Sequence, residues 1–374
     1  MTGMALGKAK PITMTATLTV SLHLERDGPE IAREPVAEAD LADALSEAWF
    51  RTCPRRGQPD VAFEETHLRV VPRLHGGEQS KCSGFIVQAT DPCGETVRSL
   101  FDILALEHVA DRAARRLVRQ GQLEVGDLYY FSIYADAELP AVAAAPAEAP
   151  AFNVSVRKKG FSFLTVPLNA VRDGARLVNT GGPDDHAVFY TTAALAKAGA
   201  FARAGAQAQP PVETGCVLCG SLCACPETGE MFCVVYDALE IADAEQNEFS
   251  LFYSGKTWSR IQAVMRARQD QPTTRTQRIV GQAHGHNFLP GNGADCQSCP
   301  DLMTCAKTSA FVSKDDRRWT RSVFCRQPWA LCHVFGLNAR AEPVDTLYGL
   351  SGGRLSKRGY QMIDDFNPIQ WQQT

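Results

Sequence analysis

Hydrophobic and polar positions divide the chain into segments with different periods. Residues 15–24 (TATLTVSLHL) alternate, which places Leu18, Val20, Leu22 and Leu24 on one face of a strand. Residues 37–50 carry Leu41, Leu45 and Trp49 at helical spacing. The apolar runs 68–71 and 84–89 read as strands. Residues 97–119 are expected to form one helix, with Leu100, Ile103, Leu104, His108, Val109 and Leu117 as its apolar stripe and Gly121 as its stop. A strand at 129–134 completes an expected α+β domain. Nothing in this half matches a catalytic pattern.

The stretch 136–151 reads DAELPAVAAAPAEAPA, nearly all Ala, Pro and Glu with no hydrophobic period. Such a composition behaves as a semi-stiff linker. The expected organisation is a tail at 1–14, an α+β domain at 15–135, a linker at 136–152 and a mixed α/β domain at 153–374. In the last, a short alternating run covers 161–166. Thr191 and Thr192 offer an N-cap to an Ala-rich helix that ends near Gly205. Strands follow at 217–222 and 231–236. A helix at 257–268 carries Trp258, Ile261, Val264 and Met265 on one face, and an apolar strand with Ile279 and Val280 runs into two histidines.

Those histidines are the first chemistry in the pattern. His284 and His286 are two apart, so on a strand both imidazoles leave the same face and can reach one metal ion. A catalytic zinc takes three protein ligands and keeps a fourth position open. Ser313-Lys314-Asp315-Asp316 offers a serine and, three residues on, a carboxylate at the first turn of a helix that continues toward Trp319. Asp295 and Asp301 are nearer competitors in sequence for the third ligand. Upstream, Glu213 opens a strand and can bring an unligated carboxylate beside the metal.

Composition narrows the remainder. Apolar residues make up 45% of the 374 and charged residues 21%, enough for cores of ordinary size. A formal net charge of -4 gives no global field to attract nucleic acid or an anionic membrane, so neither is expected as a partner. No apolar run approaches the ~18 residues of a spanning helix, and Lys8 and Lys10 precede no signal-peptide core, so cytoplasmic residence is the expectation. The thirteen cysteines are then read as metal ligands or packing groups rather than disulfides. Cys296-x-x-Cys299 with Cys305 has the form of a structural zinc half-site, with Cys325 or Cys332 as candidates for the fourth ligand. Cys93, in the turn-like DPCGE, reads as a plain loop cysteine, and Arg157-Lys158-Lys159 as a solvated run.

The set Glu213, His284-x-His286 and Ser313-x-x-Asp316 resembles the motif of the JAMM (MPN-plus, JAB-domain) zinc metalloisopeptidases. The order of helix, Glu-bearing strand, second helix and histidine strand is similar too. The string ETGCVLCG, residues 213–220, looks like the equivalent segment of the endosomal ubiquitin isopeptidases in that family. The resemblance covers about 187–360 and says nothing of the first 135 residues. It departs in spacing: residues 287–312 separate the second histidine from Ser313, more than the family has, which implies a Cys-containing insertion at about 289–308. The Ala-Phe-Val-Ser start of the segment, residues 310–313, favours Asp316 as the ligand.

The resemblance implies a JAB/MPN-type catalytic domain with a zinc ion on His284, His286 and Asp316. It further implies Glu213 as general acid–base and Ser313 as a donor to the developing oxyanion, with a second, structural zinc as an option for the insertion cysteines. Cys216, Cys219, Cys223 and Cys225 also have zinc-like spacing, but the resemblance puts the first two where the family has small buried residues. The implied partners are a ubiquitin-like protein or its conjugates, and E1/E2-like conjugation enzymes. The implied reaction is cleavage after the modifier's C-terminal Gly. Ala- and Arg-rich usage hints at a bacterial chain and a bacterial modifier. The alternatives within the same fold are a catalytically silent scaffold subunit and a hydrolase of a sulfur-carrier pathway.

Overall fold

The computed structural model describes residues 12–51, 66–75, 80–91, 93–137, 163–178, 186–241, 245–246, 251–290, 299–300, 302–324 and 327–371. The described chain is mixed α and β, built on two large sheets that belong to two compact units, one within residues 1–161 and the other from 162 onward. Most of the linker, the basic run 157–159, Asp295, Asp301, Cys296 and Cys325 lie outside the described residues.

The first unit runs β1 (Thr13–Met14), β2 (Ala16–His23), β3 (Glu30–Pro35), α1 (Ala42–Phe50), β4 (His67–Leu74), β5 (Lys81–Thr90), β6 (Thr96–Asp102), α2 (Glu107–Arg119) and β7 (Tyr130–Ala137). Its seven-stranded sheet has the order β1-β4-β5-β7-β2-β3, with β6 also on β5. The alternation in β2 places Leu18, Val20 and Leu22 in the core, while Leu24, expected on the same face, lies past the end of the strand and is half exposed. Thr13 and Met14, expected in a tail, pair in parallel with Arg69 and Val70.

The expected single helix over 97–119 is a correction. Residues 96–102 are a strand paired along its length with β5, a short 3-10 turn covers Ile103–Leu106, and only Glu107–Arg119 is α-helical. Leu100 and Leu104 fit a helical stripe, but Ser99 and Phe101 are the buried pair of an alternating strand, and Leu100 is half exposed. Asp102 marks the change: its carboxylate accepts a hydrogen bond from the Leu104 amide at 2.9 Å, a helix-start cap. Gly121 ends α2 at φ +71°, a conformation that favours glycine.

The second unit begins with β8 (Leu164–Thr165), α3 (Leu168–Arg172), β9 (Arg176–Leu177), β10 (Ala187–Thr191), α4 (Thr192–Arg203), β11 (Gly215–Ala224) and β12 (Met231–Glu240). It continues with a small hairpin, β13 (Glu245–Gln246) and β14 (Leu251–Phe252), then α5 (Gly255–Gln269) and β15 (Arg278–Gly285). It closes with α6 (Lys314–Val323), β16 (Leu331–Leu337), β17 (Pro343–Ser351), β18 (Arg354–Arg358) and β19 (Gln361–Ile363). The ten-stranded sheet has the order β18-β17-β16-β15-β11-β12-β10-β19-β9, with β8 on β11. It therefore draws strands from both sides of the 187–360 segment.

β15 is a central strand, antiparallel to β11 and parallel to β16, and is buried from Val280 to Gly285. α4 covers one face through Ala194, Ala198 and Ala202, spaced one turn apart. α5 packs Ile261 and Met265 on the other face, against Val217 and Cys219 of β11, with Trp319 of α6 beside them. Val264, expected on that apolar face, is exposed. Among the described residues no helix is long and apolar enough to cross a membrane.

Candidate metal centre

Strand alternation at the end of β15 sets the site. Ala283 and Gly285 turn toward α4, while Gln282, His284 and His286 turn to the opposite face. Gly285 is required between the histidines: a Cβ there would lie 2.0 Å from the Ala202 carbonyl oxygen of α4. His286, just past the strand, keeps the pairing by donating its amide to Phe335 O at 2.8 Å.

Asp316 reaches the same place from α6. Ser313 is the N-cap of that helix; its Oγ accepts the Asp316 amide at 3.0 Å while Asp316 Oδ2 accepts the Ser313 amide at 2.8 Å. This reciprocal pair is a capping box, with Asp in the place of the usual Glu or Gln. Ser-x-x-Asp is thus a local folding signal that points one carboxylate oxygen inward. Asp316 Oδ1 lies 3.2 Å from His284 Nε2 and Oδ2 lies 3.6 Å from His286 Nε2.

Glu213 lies two residues ahead of β11, whose first residue is Gly215 rather than the expected Val217. Its neighbour Thr214 donates through Oγ1 to Phe201 O at 2.8 Å and accepts the Gly205 amide at 3.0 Å, fixing this approach to the end of α4. The Gly285 amide bonds to Thr214 O at 2.9 Å. Glu213 Oε1 is 3.4 Å from His286 Nε2. Both histidines and Glu213 are buried.

Ligand atoms of His284, His286 and Asp316 all lie within 4.8 Å of one another, the one such group among the described residues. His284 Nε2 is buried without a hydrogen-bonding partner of good geometry. A buried imidazole nitrogen 3.2 Å from a carboxylate oxygen needs a proton or a cation between the two. The second ring is oriented by its own partner. His286 Nδ1 is 2.8 Å from Ser309 O, a carbonyl that can only accept, so Nδ1 carries a proton and Nε2 is the ring nitrogen that faces Glu213 and Asp316. Two imidazoles and one carboxylate with further positions open form a site that can bind a divalent cation.

Electrostatics agree with that reading. Burial pushes the Glu213 carboxyl up to about 7, against the pull of His284 and His286. Burial also works to raise Asp316, but the positive charge of His284 and His286 beside it holds it well below the carboxylate range. Burial opposes the charge on His284, yet Asp316 carries its pKa well above the ordinary value. The metal-free chain thus holds a proton where a cation would otherwise neutralise Asp316, so metal binding releases protons.

Of the residues singled out in the sequence, Glu213, His284, His286, Ser313 and Asp316 converge. Cys299 and Cys305 are half-buried free thiols and Cys332 is a buried one in β16; with Cys296 and Cys325 outside the described residues, the insertion site has no geometry to report. Cys216 and Cys219 are wholly buried in β11, where burial raises both thiols, Cys219 to about 12; protonated thiols of this kind are packing groups. Cys93 is exposed. Ser309 is a contributor that sequence did not mark. It is wholly buried, and besides accepting from His286 it donates through Oγ to His286 O at 3.1 Å and accepts the Leu337 amide at 2.8 Å.

No family model and no curated protein sequence matches the chain. Among solved structures, a protein from Desulfitobacterium hafniense determined in solution is similar at 13% identity, covering 48% of this chain and 94% of its own, with a TM-score of 0.29. A likeness of that degree carries no argument about function.

Proposed function

We propose that the second unit is a zinc-dependent isopeptidase or peptidase of JAMM type, cutting after the C-terminal Gly of a ubiquitin-like modifier. The observation that carries the reading is the convergence of five residues from three places in the chain, with three ligand atoms within 4.8 Å and an unligated carboxylate 3.4 Å from one of them. His284, His286 and Asp316 would hold the ion. A bound zinc supplies Lewis acidity and an acidified water at neutral pH.

The remaining work falls to the chain. Glu213, buried and 3.4 Å from His286 Nε2, is placed to accept a proton from the attacking water and to deliver it to the leaving amine. Ser313 Oγ already accepts the Asp316 amide, so its own proton is free to be donated to a carbonyl oxygen as charge develops there. A donor of that kind contributes on the order of 10²–10³ in rate. The unligated acid is also what favours hydrolysis over the redox chemistry that two histidines and a carboxylate support elsewhere. The first unit, with its own sheet and core, is assigned to recruitment of the modifier, the modified target or a conjugation enzyme.

The test is cleavage of a panel of Gly-Gly-terminated ubiquitin-like proteins, each joined by an isopeptide bond to a lysine reporter peptide. The zinc-loaded wild type is expected to release the reporter. Glu213→Gln is expected to bind the same zinc and to lose about 10²–10⁴ of the rate. Zinc-loaded protein that cuts no member of the panel would leave the scaffold reading in its place.

A further inference from the structure

Gln282 lies on the face of β15 that carries the two histidines, one alternation before His284, and is buried to 3% exposure. A buried amide in the middle of an apolar strand is expensive unless its donors and acceptor are used. Its Nε2 donates to Thr320 Oγ1 at 3.2 Å and reaches Cys332 Sγ at 3.7 Å, and its Oε1 accepts from Tyr253 Oη at 3.4 Å. Thr320, 1% exposed, stands four residues after Asp316 on α6, one turn along the same helix face. Cys332 is the direct β16 partner of Gln282.

We infer that Gln282 is a positioning residue that sets the two histidine ligands and the aspartate ligand in register, by tying the strand of the first to the helix of the second. The inference rests on the metal-centre reading above. The bond to Thr320 spans the same two elements as the site and lies one residue pair below it, so it fixes the separation of β15 and α6 where that separation determines ligand spacing. Apolar residues at 282 and 320 would hold strand and helix together by packing without fixing their relative slide or rotation.

The experiment uses Co2+ alone as the probe, titrated into chelator-treated full-length protein. It reads the dissociation constant by competition and the visible absorption of the bound ion, which reports coordination geometry. Thermal unfolding of each metal-free variant checks its fold. Wild type is expected to bind one Co2+ at the site. Gln282→Leu and Thr320→Val are expected to weaken it by about 10- to 100-fold, the range typical of outer-shell partners, with altered bands. Thr320→Ser, which keeps the hydroxyl, is expected to restore wild-type affinity and spectrum. If Gln282→Leu does not fold, the Val and Ser pair at 320 decides alone. Wild-type affinity and spectrum in Thr320→Val, or equal loss in Val and Ser, overturns the positioning role while leaving the metal centre intact. Failure of wild type to bind Co2+ overturns the metal-centre reading, and this inference with it.

Discussion

Glu213 is pulled in two directions, by burial toward the neutral acid and by two histidines toward the carboxylate, and burial prevails in the metal-free chain. Its folded pKa of about 7 exceeds the ordinary 4.5, so the stability it contributes is full below pH 4.5 and is lost as pH rises through 7. Asp316 has the opposite sign: its contribution is present above its ordinary 3.8 and lost as pH falls. Urea unfolding of chelator-treated wild type and Glu213→Gln at pH 5 and pH 8 separates the two. Wild type is expected to lose up to about 3 kcal/mol more than the variant between those pH values; parallel slopes would show that the Glu213 carboxyl is not perturbed. At this scale the sequence was legible where spacing carries chemistry, as in His-x-His and Ser-x-x-Asp. Gln282 and Ser309 were not, because their partners Thr320, Cys332 and Leu337 are distant in the chain and no local period marks them.

Elements bring these residues together, and two of their joints can be probed. Ser313→Ala removes the side-chain acceptor of the capping box, and is expected to cost about 1 kcal/mol in urea unfolding and to weaken metal binding by loosening Asp316. Gly285→Ala drives a Cβ toward the Ala202 carbonyl and is expected to cost about 1–3 kcal/mol, more than the cap. The reverse ranking would mean that α4 yields and does not hold the histidine strand. Most long elements were visible in the pattern because their periods are clean, as in β2. The failure at β6 has a physical cause. Leu100, Ile103 and Leu104 satisfy a helical stripe, yet pairing with β5 buries Ser99 and Phe101, and tertiary pairing outweighs a short local period. Strands of two or three residues such as β1, β9 and β19 are too short to show a period, and only the sheet they join reveals them.

For the whole molecule, the two units divide the proposed labour: chemistry in the second, recruitment in the first. Removal of residues 1–150 is expected to leave zinc stoichiometry unchanged and to lower kcat/KM on a protein conjugate while sparing a short reporter peptide. Equal kcat/KM on the conjugate would remove the recruiting role. The mixed α/β class of the second unit was legible from alternating helices and strands, whereas the order of the ten-stranded sheet depends on long-range pairing that no local pattern encodes. The central claim is the metal centre, and elemental analysis of full-length protein after zinc loading and desalting tests it most directly. Zinc is expected in wild type and in Glu213→Gln, with one equivalent lost in His284→Ala and in Asp316→Ala. Wild type without zinc, or His284→Ala with as much as wild type, would contradict the account.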